Sequence, residues 1–448
     1  MGHITVVHFS LLAGVLATTL LIGHLLRQRR SPAATLGWII FMISAPWLAV
    51  PAYLTLGTRK LKLQRLPASH ALSTAADTPL ARVLESAGLP PPCAGNAVNW
   101  HRDGAAAWIA LNTLVDSGTR SVDVALFLLH DDTHGRGFMD ALIARAAAGV
   151  RVRLLLDGIG SLWLARRCLR RLRAAGVAVV WFIPLLHRPF RGRTNLRNHR
   201  KLVIADGVRV WSGGRNVGDE YFAADRVWVD LSFDLAGPVV AEFAQVFEAD
   251  WAFANKCTPA TVAVVPDSAG AQTVQLVPAG PTLARDTLHE LLLTACYGAQ
   301  RRIWIATPYF VPDDALQQAL LLAARRGVEV RLLLPRRSNH RLADLARGRY
   351  LRDLVAAGAT LRAIPHAMMH AKALLADDVA LVGSANVDLR SLFLNYELDC
   401  LFLSPSDRTA LALWFARIDG QATDYRPPVA HGGLALLEGL VLLAAFQI

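Results

Sequence analysis

Two stretches of this chain are copies of one pattern. Residues 121–157 (SVDVALFLLHDDTHGRGFMDALIARAAAGVRVRLLLD) and 302–335 (RIWIATPYFVPDDALQQALLLAARRGVEVRLLLP) each read as an apolar strand, an Asp-containing turn, an amphipathic helix, a glycine and a second strand. Gly149 and Gly327 stand where each helix must stop, at a left-handed position that glycine adopts without steric cost. A strand–helix–strand of this length predicts parallel strands joined by a helical crossover. The interval from Gly149 to Gly327 is far too long for a solenoid period and right for a duplicated domain. The expected fold is therefore α/β and duplicated, with a first repeat over 99–256 and a second over 270–425.

A chemical motif recurs with the repeat. Each half carries H-x-K-x(4)-D, as His199, Lys201 and Asp206 in NHRKLVIADG and as His370, Lys372 and Asp377 in MHAKALLADD. A chain of this composition is expected to hold on the order of 0.01 copies by chance. The interval from His199 to His370 nearly equals that from Gly149 to Gly327, so the motif keeps step with the repeat. Both motifs sit in β-like runs, where period two puts His and Lys on one strand face. VWSGGRN and ALVGSAN follow, with Asn216 and Asn386 in matching positions.

The N-terminus is of another kind. Ile4–Leu26 and Thr35–Leu56 are apolar runs, each followed by basic residues (Arg27, Arg29 and Arg30; Arg59, Lys60, Lys62 and Arg65). About 20 apolar residues suffice to span a bilayer, so residues 1–60 are expected to form a transmembrane hairpin. No secretory cleavage site follows the first run. The positive-inside count is close to a tie, and leans towards a cytoplasmic catalytic part. Residues 61–98, with Pro67, Pro79, Pro90, Pro91 and Pro92, read as a linker, and 426–448 as an apolar tail that packs on the enzyme or lies at an interface. Lys+Arg is 47 against Asp+Glu 35, a net charge of +12. That excess favours a polyanion, and the hairpin makes it an anionic membrane rather than nucleic acid. The five cysteines are scattered and suggest neither disulfides nor a zinc site.

With GGRN and GSAN downstream, the doubled motif resembles the phospholipase D superfamily. RNHRKLVIADG, GGRNVGDEYF, PYFVPDDALQQAL, MMHAKALLADD, GSANVDLRSLFLNYE and the N-terminal RSPAATLGWIIFMI narrow the resemblance to bacterial cardiolipin synthases. Three features depart from that family's pattern: Asp377 and Gly383 stand one residue closer than Asp206 and Gly213, which keep the usual spacing, WVDLSFDLAG lacks its usual Arg and His, and Ala279 stands where Ser is usual. The resemblance implies a duplicated phospholipase D-like α-β-α sandwich with pseudo-twofold symmetry. It implies phosphatidyl transfer through a covalent phosphohistidine, without metal or cofactor. The reaction implied joins two phosphatidylglycerol molecules into cardiolipin and releases glycerol. A phospholipase D-type hydrolase, or a transphosphatidylase using another alcohol, stays open.

The residue types suit that chemistry. A neutral imidazole is a nucleophile and a protonated one an acid for the leaving alkoxide. Lys201 and Lys372 supply charge to the phosphoryl oxygens, and Asn216 and Asn386 neutral donors. Asp206 and Asp377 join the catalytic set as members of the family motif, with a partly structural part in their turns. Asp230 follows His199, and Glu397 follows His370, at similar intervals and in apolar runs. Each is expected to orient its own repeat's His. His199 is expected to be the nucleophile, kept neutral by Arg188, Arg191, Arg193, Arg197 and Arg200. His370, ahead of Asp377 and Asp378, is expected to be the acid.

Overall fold

The computed structural model describes residues 2–28, 32–61, 78–184, 193–223, 228–262 and 264–443. Three helices open the chain: α1 (Gly2–Leu26), α2 (Pro32–Ser44) and α3 (Pro46–Leu56). After α4 (Pro79–Ser86), the first half contains β1 (Cys93–His101), α5 (Gly104–Ser117), β2 (Ser121–Leu126), α6 (Thr133–Ala147), β3 (Arg151–Asp157), α7 (Arg166–Ala174) and β4 (Ala178–Phe182). It continues through β5 (Leu202–Ala205), β6 (Arg209–Gly213), α8 (Asp219–Phe222), β7 (Ser232–Ala236) and α9 (Val240–Asn255). The second half begins with β8 (Gln272–Ala279), α10 (Thr287–Gly298), β9 (Arg302–Ala306), β10 (Phe310–Val311), α11 (Asp314–Arg325), β11 (Glu329–Pro335), α12 (Arg341–Ala356) and β12 (Thr360–Ile364). Next come β13 (Ala373–Ala376), β14 (Val379–Gly383), β15 (Val387–Asp388), α13 (Leu389–Phe393), β16 (Glu397–Phe402), α14 (Pro405–Asp419) and β17 (Thr423–Asp424), and α15 (Gly433–Leu443) ends the described chain.

Among the described residues, fifteen strands form one sheet, in the order β17-β12-β11-β9-β13-β14-β16-β8-β1-β7-β6-β5-β2-β3-β4. Outward from the antiparallel β1–β8 junction, β7-β6-β5-β2-β3-β4 on one side answers β16-β14-β13-β9-β11-β12 on the other. The crossovers foreseen from the repeat are present: β2 pairs with β3, and β9 with β11, in parallel. On one face of the first half, α5, α6 and α7 bury Leu111, Phe138 and Leu172 against its strands. In the second half α10 and α11 do the same with Leu291 and Leu320. Between the halves, α9 and α14 share one core, in which Phe243, Phe247, Phe402 and Phe415 are fully buried. Each such ring contributes about 2–3 kcal/mol by leaving water, so this shared core ties the halves into one body.

Three expectations about the edges change. The stretch 61–98 is only partly a linker. Pro79, at the first turn and capped by Thr78, starts α4, whose Leu84 enters the second half's core, and β1 begins at Cys93 rather than after residue 98. Residues 62–77 lie outside the described residues. The second apolar run is not one helix. Pro46 has no N–H to continue the ladder, Ala45 leaves helical geometry (φ −143°, ψ 63°), and the run divides into helices of 13 and 11 residues. The first run coincides with α1, but its side chains over 4–11 lie outside the described residues. Among the described residues no helix is long and apolar enough to cross a membrane. At the other end, α15 packs on α12 and pairs Glu438 with Arg352.

Candidate active site

Short bridges between the halves build the site. The segment before each motif runs beside the residue that precedes the acid of the other half: His199 N–H donates to the Tyr396 carbonyl (2.9 Å), and His370 N–H donates to the Val229 carbonyl (2.7 Å). Each acid therefore meets the opposite half's histidine. Glu397 accepts from His199 Nδ1 (2.9 Å), and Asp230 from His370 Nδ1 (2.7 Å). This corrects the expectation that each acid serves its own repeat, since nearness along one chain does not reveal which half a side chain faces.

The acids are held in turn. Glu397, fully buried, also accepts from Ser384 Oγ (2.6 Å) and Ser391 Oγ (2.8 Å). Asp230 Oδ1 accepts the Leu231 N–H at 2.7 Å. The glycine of GGRN matters here: a Cβ on Gly214 would lie 2.2 Å from Asp230 Oδ1. In the second half that position is Ser384, whose hydroxyl binds the longer acid instead. Burial alone would raise both carboxyls. The charge and hydrogen bond of His370, with Lys372 and Arg215, instead bring Asp230 down to about 2, and His199, Lys201 and Ser384 lower Glu397.

Burial dominates the bases. It lowers His199 to about 4, with Lys201 and Lys372 adding to the shift and Glu397 opposing it. It lowers His370 to about 3, reinforced by the Lys372 charge against the opposition of Asp230. Lys201 is lowered as well, and Lys372 falls to about 8. His199 is thus neutral as expected, but for another reason. Arg197 pairs with Asp157, Arg200 with Asp250, and Arg193 stacks on Phe253. Arg188 and Arg191 lie outside the described residues. The expectation that His370 holds a proton more readily fails in the free protein. Lys372 Nζ lies 2.8 and 3.1 Å from its two ring nitrogens, while Asp377 and Asp378 stand at the far end of the β13–β14 hairpin.

Both histidines and both motif asparagines line one cleft of about 730 Å³, with Tyr221, Trp228 and Arg390. The Phe127 ring meets His199 edge-on at 4.9 Å, and Trp228 leans on His370 at 5.1 Å. Asn216 donates to Tyr221 Oη at 2.9 Å. Lys201 and Lys372 are buried behind the cleft lining, each in contact with its own motif histidine. Asp206 and Asp377 neither line the cleft nor bond a histidine, which corrects their place in the catalytic set. Each sits at the hairpin turn beyond a four-residue strand, about 16 Å of chain from its lysine. Both adopt positive φ (54° and 46°). The Asp206 carboxylate accepts from the backbone of Thr119 (2.9 Å), Arg120 (2.6 Å) and Ser121 (2.8 Å). Asp377 accepts likewise from Gln300, Arg301 and Arg302. They clasp the motif hairpin to the start of the neighbouring strand.

At the edge of the cleft, which His130 and Glu220 line, the fold brings ligand atoms of His130, Asp132 and Glu220 within 4.8 Å of one another. His130 already forms ion pairs there, at 3.4 Å to Glu220 and 3.6 Å to Asp132, and its pKa is raised by the Glu220 hydrogen bond. HDD and GDE, far apart in the sequence, were its only signal.

The family model "Cardiolipin synthase, PLD-like domain" matches residues 111–251 and 292–418. Cardiolipin synthase A of Pseudomonas entomophila (strain L48) is 37% identical over 326 residues, 71% of this chain and 68% of that protein. Cardiolipin synthase A of Pseudomonas putida is 33% identical over 406 residues, 84% of each. Among solved structures, phosphatidylserine synthase of Haemophilus influenzae Rd KW20 shares the fold (TM-score 0.62, 13% identity, 83% of this chain and 99% of that one). The motif pairs, the duplicated sheet and these matches agree: the chain belongs to the phospholipase D-like cardiolipin synthase family.

Proposed function

We propose that this protein is a phosphatidyltransferase that makes cardiolipin from two phosphatidylglycerol molecules and releases glycerol. The observation that carries the reading is the crossed anchoring of two neutral imidazoles by their Nδ1 atoms across one cleft. A carboxylate on Nδ1 fixes the proton there and leaves the Nε2 lone pair for chemistry. Because each half supplies one imidazole and the acid for the other, both halves make one site.

His199 is the better nucleophile. Lys201 touches only its carbonyl oxygen, at 2.6 Å, whereas Lys372 contacts both ring nitrogens of His370. His199 Nε2 attacks the phosphorus of the first phosphatidylglycerol. The P–O bond to glycerol breaks, and the departing oxygen takes a proton from His370. The hydroxyl of the second phosphatidylglycerol then returns a proton to His370 and attacks phosphorus, breaking the N–P bond. His370 is neutral in the free protein, so its proton accompanies the substrate, whose phosphodiester charge raises the imidazole's proton affinity. Lys201 and Lys372 stabilise the charge that builds on the phosphoryl oxygens.

The same reading places α1–α3 against lipid. Leu12, Leu16, Leu20, Ile43, Trp47 and Leu48 are 61% to 73% exposed there, and the end of α3 reaches the cleft through Leu56. Exposed apolar surface on this scale marks a lipid or protein contact.

The experiment is to supply purified protein with phosphatidylglycerol in vesicles and weigh the products. Cardiolipin with glycerol is expected; phosphatidic acid alone overturns transfer in favour of hydrolysis. Trapping the intermediate with labelled lipid is expected to label His199. Label on His370 reverses the roles, and label on neither removes the covalent mechanism.

A further inference from the structure

The two halves are not copies at one buried place. Cross-strand register aligns Ser232 with Gly213 in the first half and Asp399 with Gly383 in the second. Just beyond those glycines, in matching positions, stand Arg215 and Ala385. In the first half the Arg215 guanidinium fills the space behind the site, giving Nη1 to Ser232 Oγ (3.1 Å) and Nη2 to the Asp230 carbonyl (2.6 Å). In the second half the arginine is cut to alanine and the serine is replaced by a carboxyl. A small cavity remains there, lined by Ala385, Asp399, Lys372 and Asn386 among apolar neighbours.

That cavity has about 20 Å³ for a water's centre, enough for one water, which needs roughly 10–15 Å³ and two or more polar partners. The partners are present. Asp399 Oδ2 and Asn386 Oδ1 are both buried without a hydrogen bond, and orphaned buried groups of this kind are rare in native proteins. Asn386 also lines the active-site cleft, so it stands between the two spaces.

We infer that Asp399 is a positioning residue of the transfer reaction: with one water in this cavity, it ties Asn386 to Lys372 at the floor of the cleft. This rests on the phosphatidyl-transfer reading. The water donates to Asn386 Oδ1 and accepts from Asp399 or Lys372. The charged groups facing Asp399 are Glu397 on its own strand and the lysines Lys201 and Lys372. From β8, β13, β14 and α10 it faces Val277, Leu374, Leu381, Leu288 and Leu292. Lys372 itself also faces Asp230, Glu397 and Asp388. Burial, then Glu397, push the Asp399 carboxyl up to about 8, and Lys372 is brought down to about 8. The acid therefore loses its proton in the range where the lysine does, and an ionised Asp399 helps keep Lys372 charged.

The test compares wild type, Asp399→Asn and Asp399→Ala in the full-length protein, with kcat and KM measured from pH 6 to 9.5. Asp399→Asn keeps a polar partner for the water, and its kcat at pH 6.5 is expected within about twofold of wild type, while its alkaline limb moves down by about one pH unit. Asp399→Ala releases the water on one side and is expected to lose about tenfold in kcat at unchanged KM, the effect of one hydrogen bond to a catalytic group. An unshifted limb in Asp399→Asn, or wild-type kcat in Asp399→Ala, overturns the inference. If Asp399→Ala melts below the assay temperature, the Asp399→Asn limb decides alone. Wild-type product analysis is independent of both variants, so failure of the transfer reading shows there first.

Discussion

Replacing Glu397 by Gln isolates what the crossed carboxylate does. Glutamine has the same shape; Ser384 and Ser391 donate to different carboxylate oxygens, so one still donates to the amide oxygen while the other turns its hydroxyl to accept from the NH₂, and the core around it is expected to stay intact. What changes is charge and tautomer. When His199 attacks phosphorus its ring becomes positive, and Glu397 lies 2.9 Å from Nδ1. Two unit charges at that separation attract by about 5–6 kcal/mol at an effective dielectric near 20. The amide dipole and the retained serines recover part of this, leaving a loss of about 3–4 kcal/mol in the transition state. That corresponds to a 10²- to 10³-fold fall in kcat. Because the charge develops only during reaction, KM should hardly move. If the amide NH₂ turns to His199, the proton shifts to Nε2 and the fall is larger still. The assay is release of glycerol from phosphatidylglycerol vesicles, with a thermal melt to confirm folding. A folded Glu397→Gln protein retaining more than about a tenth of the wild-type kcat refutes the reasoning.

Three further outcomes are expected. In kcat/KM, which reports the free enzyme, protonation of His199 should cause no loss above about pH 4, because its neutral form is present above its lowered pKa and lost only as pH falls through it. The proton that His370 takes up with substrate makes kcat/KM fall as pH rises, and the fall should steepen above about 8, where Lys372 loses its charge. An acid limb at the ordinary histidine value would show that burial does not control His199. Asp206→Ala should act on stability rather than chemistry. It removes a solvent-edged carboxylate from three backbone N–H groups and leaves a Cβ residue at positive φ, a loss of about 2–3 kcal/mol. Chemical denaturation should read that loss while kcat stays within about threefold; a kcat collapse in folded protein would return Asp206 to the catalytic set. Exhaustive chelation should leave activity intact, because a cation beside Lys201 and Lys372 is repelled; loss restored by a divalent ion would point to His130, Asp132 and Glu220.

The chemistry was legible in the sequence and its pairing was not. H-x-K-x(4)-D repeats at an offset that matches the helix-ending glycines, and a local pattern of that kind survives in one dimension. The parallel crossovers followed from the same periodicity. Asp230 and Glu397 could be singled out because a carboxylate in an apolar run needs a partner. Which partner depends on how two halves join, and the bridges His199–Tyr396 and His370–Val229 that decide it link segments from opposite halves of the chain. Asp206 and Asp377 were grouped with the catalytic residues because motif membership does not reveal strand length. The strands Leu202–Ala205 and Ala373–Ala376 carry them out of the cleft. The second apolar run read as a span because a composition window passes over Pro46, whereas the backbone does not. Arg197 and Arg200 looked like a field around His199, but Asp157 and Asp250, far away in sequence, neutralise them.

The crossed acids also explain why a duplicated enzyme of this kind keeps its halves together. If each carboxylate served its own histidine, a half would be a self-sufficient base that needed its partner only for proton transfer. Here Glu397 reaches His199, and the strand carrying it, β16, pairs with β8 at the junction. Asp230 reaches His370 from the loop that leads into β7, which pairs with β1 on the other side of that junction. Any shift of one half against the other therefore moves both acid–imidazole contacts at once, and a buried carboxylate that loses its partner is costly. The active site thus contributes to the stability of the interface that creates it. The asymmetry of the lysines, Lys372 against both ring nitrogens of His370 and Lys201 on the carbonyl of His199, lets two nearly equivalent imidazoles differ in charge environment. That difference is what a reaction needs when one histidine must attack phosphorus and the other must carry the proton.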